Sequence, residues 1–139
     1  MTLPARQPVV LDTNIVLDLF VFNDVAAQPL KTALEAGELD WLATQAMRDE
    51  LERVLAYPQI IPRLAFYGLT AADVLNAFDR HARLTEVAAK AGVTCSDADD
   101  QKFIDLAVAA KALLFSKDQH VLSMKKRLLA LDVRAQAAM

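Results

Sequence analysis

Short apolar runs alternate with amphipathic stretches along most of the chain. Residues 8–11 (Pro-Val-Val-Leu) and 112–115 (Ala-Leu-Leu-Phe) have the pattern of strands buried on both faces. Residues 39–44, which include Trp41, predict another short strand. We also predict a strand over residues 93–95 and an edge strand over residues 132–135. The chain therefore offers four to five strands.

Apolar residues at helical spacing separate these strands. The spacing predicts helices over residues 15–22, 28–36, 45–56 and 71–83, and another that begins near residue 97. Thr13 or Asn14, Thr44 and Thr70 are suitable N-cap residues, and Gly37 is suitable as a C-cap residue. Strands that alternate with helices indicate parallel βα units in one twisted sheet, so we predict an α/β fold.

Three carboxylates lie within four positions at the start of the last of these helices, at Asp97, Asp99 and Asp100. Ser96 or Asp97 can act as the N-cap, and an acid three residues further on completes a capping box in either case. One acid would suffice for that role, and three acids this close repel one another. A divalent cation among them would offset the repulsion, because hard cations prefer oxygen ligands.

Acids also follow or precede other predicted strands. Asp12 and Asp118 follow two strands, Asp100 begins the helix that leads into the second of these, and Glu50 lies on the helix after residues 39–44. Taken singly, each acid is most simply a surface residue or a helix cap. Ligands in parallel sheets bind outside the carboxyl ends of the strands, however, so the four acids together predict one pocket.

Composition narrows the range of functions. A chain of 139 residues with 55% hydrophobic residues is most simply one domain, residues 1–139. The net charge of −3 argues against binding nucleic acid through bulk positive charge. It does not exclude a nuclease that holds phosphate through bound metal ions.

The lengths of the apolar runs, the N-terminal sequence and the single cysteine indicate where the protein is located. No apolar run reaches the roughly 18 residues of a membrane span, and the N-terminus lacks the apolar core of a signal peptide, so we expect no membrane contact and a cytoplasmic protein. The single Cys95 excludes an internal disulfide, and we predict that it is a core strand residue.

These motifs together resemble the PIN domain family. The resemblance rests on Val-Val-Leu-Asp-Thr-Asn at 9–14, Glu50, Asp-Ala-Asp-Asp-Gln-Lys-Phe at 97–103 and Ser-Lys-Asp at 116–118. More narrowly, the chain resembles the PIN-family toxin components of prokaryotic toxin-antitoxin systems. The resemblance implies a three-layer αβα fold with a mostly parallel twisted sheet. It also implies a metal-dependent ribonuclease that cleaves single-stranded RNA and leaves a 5′-phosphate.

The resemblance assigns roles to individual residues. Asp12, Glu50, Asp100 and Asp118 correspond to the acidic quartet that binds Mg²⁺ or Mn²⁺. Asn14 and Ser116 correspond to positions that orient the acids or a water, and Asp97 and Asp99 either assist or cap the helix. The candidates for substrate contact are Lys102, Lys117 and His120, although a lysine beside an acid also serves as a balancing charge. His81 lies in a polar helical stretch and is expected to be exposed.

Other functional classes fit the sequence less well. An aspartyl-phosphate phosphatase needs a second acid two residues after Asp12, where this chain has Asn14. A phosphoacceptor signalling domain needs an acceptor aspartate that closes a central strand near mid-chain, and we find none. A catalytically silent PIN-like module that binds RNA or protein is the remaining alternative. For partners we expect a homodimer and a cognate antitoxin whose amphipathic segment fills an apolar groove near the site.

Overall fold

Five parallel strands form one sheet at the centre of the protein. The computed structural model describes residues 6–139. The strands are β1 (Gln7–Leu11), β2 (Leu39–Ala43), β3 (Ala82–Leu84), β4 (Leu113–Phe115) and β5 (Ala135–Gln136). Their spatial order is β3-β2-β1-β4-β5, and every neighbouring pair is parallel.

Helices connect the strands and flank the sheet, which confirms the predicted α/β architecture. They are α1 (Thr13–Phe20), α2 (Gln28–Glu35), α3 (Gln45–Leu55), α4 (Ile61–Phe66), α5 (Ala71–His81), α6 (Gln101–Ala110), α7 (Gln119–Leu122) and α8 (Lys125–Leu129). Two 3-10 turns, Val25–Ala27 and Ala98–Asp100, precede α2 and α6. None of the helices between residues 6 and 139 is long and apolar enough to cross a membrane.

The central strands are buried because their side chains are apolar on both faces. Val9 and Val10 of β1 and Leu114 and Phe115 of β4 have no measurable solvent exposure. The indole ring of Trp41 on β2 packs edge-on against Phe78 of α5, with 4.9 Å between the ring centroids. Burial of these apolar runs places β1 and β4 at the centre of the sheet. Because the strands are parallel, their carboxyl ends lie at the same edge.

The prediction of a strand over residues 93–95 was wrong. The third strand is Ala82–Leu84, which pairs with β2 and lies at the edge of the sheet. It follows α5 directly, and Arg83 pairs with Asp40 of β2 through a 2.7 Å contact. Cys95 is buried as expected, but its backbone N–H donates to the side chain of Gln101 at 2.6 Å instead of joining a ladder.

Several boundaries also differ from the predicted ones. The first helix ends at Phe20 and begins after Asp12, which is its N-cap residue in place of Thr13 or Asn14. The C-terminal edge strand is limited to Ala135–Gln136, and Asp132, where the predicted strand begins, adopts a left-handed backbone conformation with φ of 62°. The short helices α4 and α7 were not predicted at all.

Candidate metal centre

Parallel pairing of β1 with β4 brings two acids to one edge of the sheet. Leu11 is paired with Phe115, and the backbone N–H of Asp12 donates to the Phe115 carbonyl at 2.9 Å. Asp118 follows three residues after the end of β4 and caps α7. Both acids therefore lie beyond the carboxyl ends of adjacent central strands, as the sequence predicts.

Asp100 completes a cluster of three carboxylates at this edge. One carboxylate oxygen from each of Asp12, Asp100 and Asp118 lies within 4.8 Å of the other two. Asp12 and Asp100 are buried, with 4% and 8% of their surface exposed, while Asp118 is half-buried. The cluster is thus open to solvent on the side of Asp118.

Ser116 fixes the geometry of two of these acids. Its hydroxyl donates to Asp12 Oδ2 at 2.7 Å and accepts from the backbone N–H of Asp118 at 3.0 Å. Asp118 Oδ1 in turn accepts from the backbone N–H of His120 at 2.8 Å. Ser116 is fully buried, so this arrangement does not exchange freely with water.

Burial and mutual repulsion make the charged form of the cluster costly. Burial, then the charge of Asp12 and the proximity of Asp118, raise the pKa of Asp100 to about 7. Burial also raises the pKa of Asp12, an effect that the hydrogen bond from Ser116 partly offsets. In the protein without a cation, Asp100 therefore keeps its proton well above the pH at which an ordinary aspartate loses it.

The donor set fits a divalent cation. Among residues 6–139, Asp100 Oδ2 is the one buried side-chain oxygen or nitrogen without a hydrogen-bond partner. A buried polar atom without a partner is costly, and here it belongs to a group of oxygen donors. Carboxylate oxygens are the ligands that Mg²⁺ and Mn²⁺ prefer. Asp12, Asp100 and Asp118 are therefore the residues that would hold such an ion.

Glu50 lies beside this cluster but is engaged elsewhere. Its Oε1 accepts from the Lys102 ammonium at 2.8 Å, and its Oε2 accepts from the hydroxyl of Thr13. It is near enough to Asp12 for its charge to add to the rise in the Asp12 pKa. The structure thus groups three members of the predicted quartet and places the fourth next to them, paired with a lysine.

Comparison with known protein families agrees with this arrangement. A family model described as PIN domain matches residues 8–120. The chain belongs to the PIN domain family. The matched segment contains all four acids of the predicted quartet. No curated protein matches the chain. PIN domains are generally nucleases that bind divalent metal ions, so membership and the three-acid cluster together indicate a nuclease-type function with a metal site.

Asp97 and Asp99, which precede Asp100, make local contacts around the start of α6 in this PIN domain. Asp97 caps the 3-10 turn before α6, because its Oδ1 accepts from the backbone N–H of Asp99 at 3.0 Å. Asp99 is exposed, and its carbonyl accepts from Lys102 at 2.6 Å. Of the two roles left open for these residues, the structure shows the cap for Asp97, whereas the contact of Asp99 is through its backbone carbonyl.

The remaining candidates have different surroundings. Asn14 is exposed at the start of α1 and takes no part in the hydrogen bonds that Ser116 and His120 make with the cluster. The Lys117 ammonium pairs with the buried Asp18 at 2.6 Å. His120 is exposed, and its Nδ1 is hydrogen bonded to the Ser96 hydroxyl at 2.8 Å. His81 is half-buried against the ring of Phe20, so its expected exposure was wrong.

Sequence reasoning missed two residues that support the site. Thr13 was considered only as a helix cap, yet it is buried and donates to Glu50. Asp18 was given no role, although it interrupts the apolar pattern of residues 15–22. That interruption was the available signal, since a charge on a buried helix face requires a partner, here Lys117.

Proposed function

We propose that this PIN domain is an endoribonuclease that depends on Mg²⁺ or Mn²⁺ and cleaves single-stranded RNA. The observation that carries the proposal is the buried, unpartnered Oδ2 of Asp100 within a group of three carboxylates. The choice of RNA, and of a 5′-phosphate product, is supported by the resemblance to PIN-family toxins.

Hydrogen bonds within the chain orient the aspartates that would bind the metal ion. Asp12 is held in one orientation by Ser116, and Asp118 by the backbone N–H of His120. Asp100 releases its proton when the site is loaded, since a carboxylate must be charged to act as a ligand. When bound, the divalent ion supplies the charge that polarises the scissile phosphate and activates the attacking water.

Recruitment of RNA by this acidic protein needs specific contacts instead of bulk charge. The net charge is −3, and Lys102 and Lys117 are each paired with an acid. His120 is the exposed candidate next to Asp118. We assign it a contact with the substrate backbone, since such contacts position a nucleic acid without reading its sequence.

Cleavage of an end-labelled single-stranded RNA tests the proposal. We expect cleavage with Mn²⁺, none with excess EDTA, and none with Asp100→Asn. Asp49→Asn is the matched control, because Asp49 is exposed on α3 and lies outside the cluster. Cleavage that survives both EDTA and Asp100→Asn would exclude the site. Tight binding of RNA without any cleavage would instead indicate the silent binding module.

We further propose that the nuclease acts as the toxin of a toxin-antitoxin pair and forms a homodimer. An apolar groove of about 480 Å³, lined among others by Leu55, Ile61, Leu64 and Leu69, offers a surface for an amphipathic antitoxin segment. Induced expression should arrest growth, and Asp100→Asn should relieve the arrest. Light scattering that shows a monomer at high concentration would contradict the dimer.

A further inference from the structure

The ammonium group of Lys102 is held in a fixed position next to the aspartate cluster. Nζ donates to Glu50 Oε1 at 2.8 Å and to the carbonyl of Asp99 at 2.6 Å. It also lies 4.9 Å from the centroid of the Phe103 ring, within cation–π distance. About a quarter of the lysine side chain is exposed, at 27%, and less of Glu50, at 18%. Three contacts and partial burial distinguish this lysine from a mobile surface charge.

Both carboxylate oxygens of Glu50 are engaged as a result. Lys102 occupies Oε1, and the hydroxyl of Thr13 occupies Oε2. Thr13 follows Asp12 in the chain, so this hydrogen bond holds Glu50 at the side of the cluster. Glu50 is therefore near Asp12, while each of its oxygens already accepts a hydrogen bond and neither belongs to the group of three aspartates.

The charges on this edge of the sheet separate into two groups. Asp12, Asp100 and Asp118 form an acidic group without a basic partner among the contacts that hold it, whereas Glu50 and Lys102 form a neutral pair. A two-ion site needs a second set of free carboxylate oxygens about 4 Å from the first ion. Glu50 is the residue placed to begin such a set, and a lysine already neutralises it.

We propose that the Lys102 ammonium takes the place of a second divalent cation beside Glu50, so that the site binds a single ion through its three aspartates. Lys102 is thus a positioning residue that sets metal stoichiometry. The inference rests on the proposed metal site, although not on the identity of the substrate. A lysine suits this role because its ammonium is a compact point charge with three donors.

Metal stoichiometry tests the inference without any activity measurement. Native mass spectrometry and titration calorimetry with Mn²⁺ should give one ion for the full chain and two ions for Lys102→Met. Lys102→Arg keeps the charge and should restore one ion. Lys126→Met is the matched control, because Lys126 is exposed on α8 and should leave the count at one.

Mn²⁺ paramagnetic resonance adds a signature that a loss of packing would not produce. The unmodified protein should show the six-line signal of isolated Mn²⁺, and Lys102→Met should show the broadened signal of two coupled ions. Two ions in the unmodified protein, or one ion in Lys102→Met, would overturn the inference. No ion bound to the unmodified protein would instead refute the proposed metal site itself.

The Glu50→Gln, Lys102→Met double variant keeps the inference testable if Lys102→Met alone fails to fold. It removes both charges of the pair, so the net charge beside the three aspartates is unchanged, and it should bind one Mn²⁺ because no free carboxylate remains to begin a second set. Two ions in the double variant would show that the second site does not depend on Glu50 and would overturn the inference.

Discussion

The hydroxyl of Ser116 donates to Asp12 Oδ2 at 2.7 Å, joining residues 104 positions apart in the chain. The same hydroxyl accepts from the backbone N–H of Asp118, so one buried side chain orients two of the three clustered acids. A residue that holds a metal ligand in place affects metal affinity without touching the ion.

Ser116→Ala should therefore weaken metal binding while the fold is kept. We expect Mn²⁺ affinity to fall by about 10-fold to 100-fold, because Asp12 loses the hydrogen bond from Ser116 and must be reoriented on binding. Titration calorimetry measures the change. Ser123→Ala removes an exposed hydroxyl nearby and should have no effect. Equal affinities for the two variants would contradict the orienting role.

Stability of the metal-free protein should fall as pH rises. The folded state holds the proton on Asp100 up to about pH 7, whereas the unfolded chain loses it near 3.8. Between these values the folded state binds more protons, so its stability is fully present below the lower value and is lost as pH rises through the higher one. Ionisation of Asp100 should therefore lower the free energy of unfolding by about 2 to 3 kcal/mol between about pH 5 and pH 8.

Urea unfolding in EDTA at about pH 5 and about pH 8 measures this loss of stability. The unmodified protein is compared with Asp100→Asn. The variant should lack the Asp100 contribution and should be the more stable of the two at the higher pH. Mn²⁺ should restore the stability of the unmodified protein there, because it binds only the folded state. A pH dependence that is the same in both proteins would show that Asp100 is not the titrating group.

The ion pair of Lys117 with Asp18 should contribute to stability. Asp18 is buried, and removing the 2.6 Å ammonium contact leaves its carboxylate without that partner. Since Lys117 is partly exposed, Lys117→Met should destabilise the protein by about 1 to 3 kcal/mol, below the range for a fully buried pair. The Asp18→Asn, Lys117→Met double variant should recover much of this loss.

Lys111 provides the control for that measurement. Its contact with Asp132 is 3.9 Å long, and both side chains are mostly exposed. Lys111→Met should therefore change the free energy of unfolding by less than about 0.5 kcal/mol. If both lysine variants lose the same amount, the burial of Asp18 does not govern the cost.

His120→Ala should affect substrate binding more than the chemical step. The imidazole is exposed, while the N–H that Asp118 accepts belongs to the backbone and is kept in the variant. We expect KM for single-stranded RNA to rise several-fold, with kcat changed by less than about two-fold. A fall in kcat at constant KM would assign the imidazole to the reaction instead.

The sequence was most informative about the centre of the sheet and the acids at its edge. Residues 8–11 and 112–115 are continuous apolar runs, a pattern typical of strands buried on both faces. These strands could be predicted without knowledge of their partners in the sheet. Parallel strands then place Asp12 and Asp118 at one edge, and that prediction needed only the order of elements. Asp100 groups with them, whereas Glu50, the fourth acid of the predicted pocket, lies outside this group.

What the sequence could not provide depended on contacts between distant positions. The strand Ala82–Leu84 is short and its middle residue is charged, and Arg83 is accommodated there because Asp40 lies on the adjacent strand. The pairing of Lys102 with Glu50 spans 52 positions and follows from how α3 and α6 lie against the sheet edge. No local pattern distinguishes Glu50 as a ligand from Glu50 as the partner of a lysine.

Anomalous diffraction from crystals soaked in Mn²⁺ would locate the bound ion itself. We expect a peak between Asp12, Asp100 and Asp118, within ligand distance of Asp100 Oδ2, and its loss in Asp100→Asn. Density for the Lys102 side chain beside Glu50 should persist. A map without a peak among the three aspartates, or with the ion bound elsewhere, would contradict the metal centre.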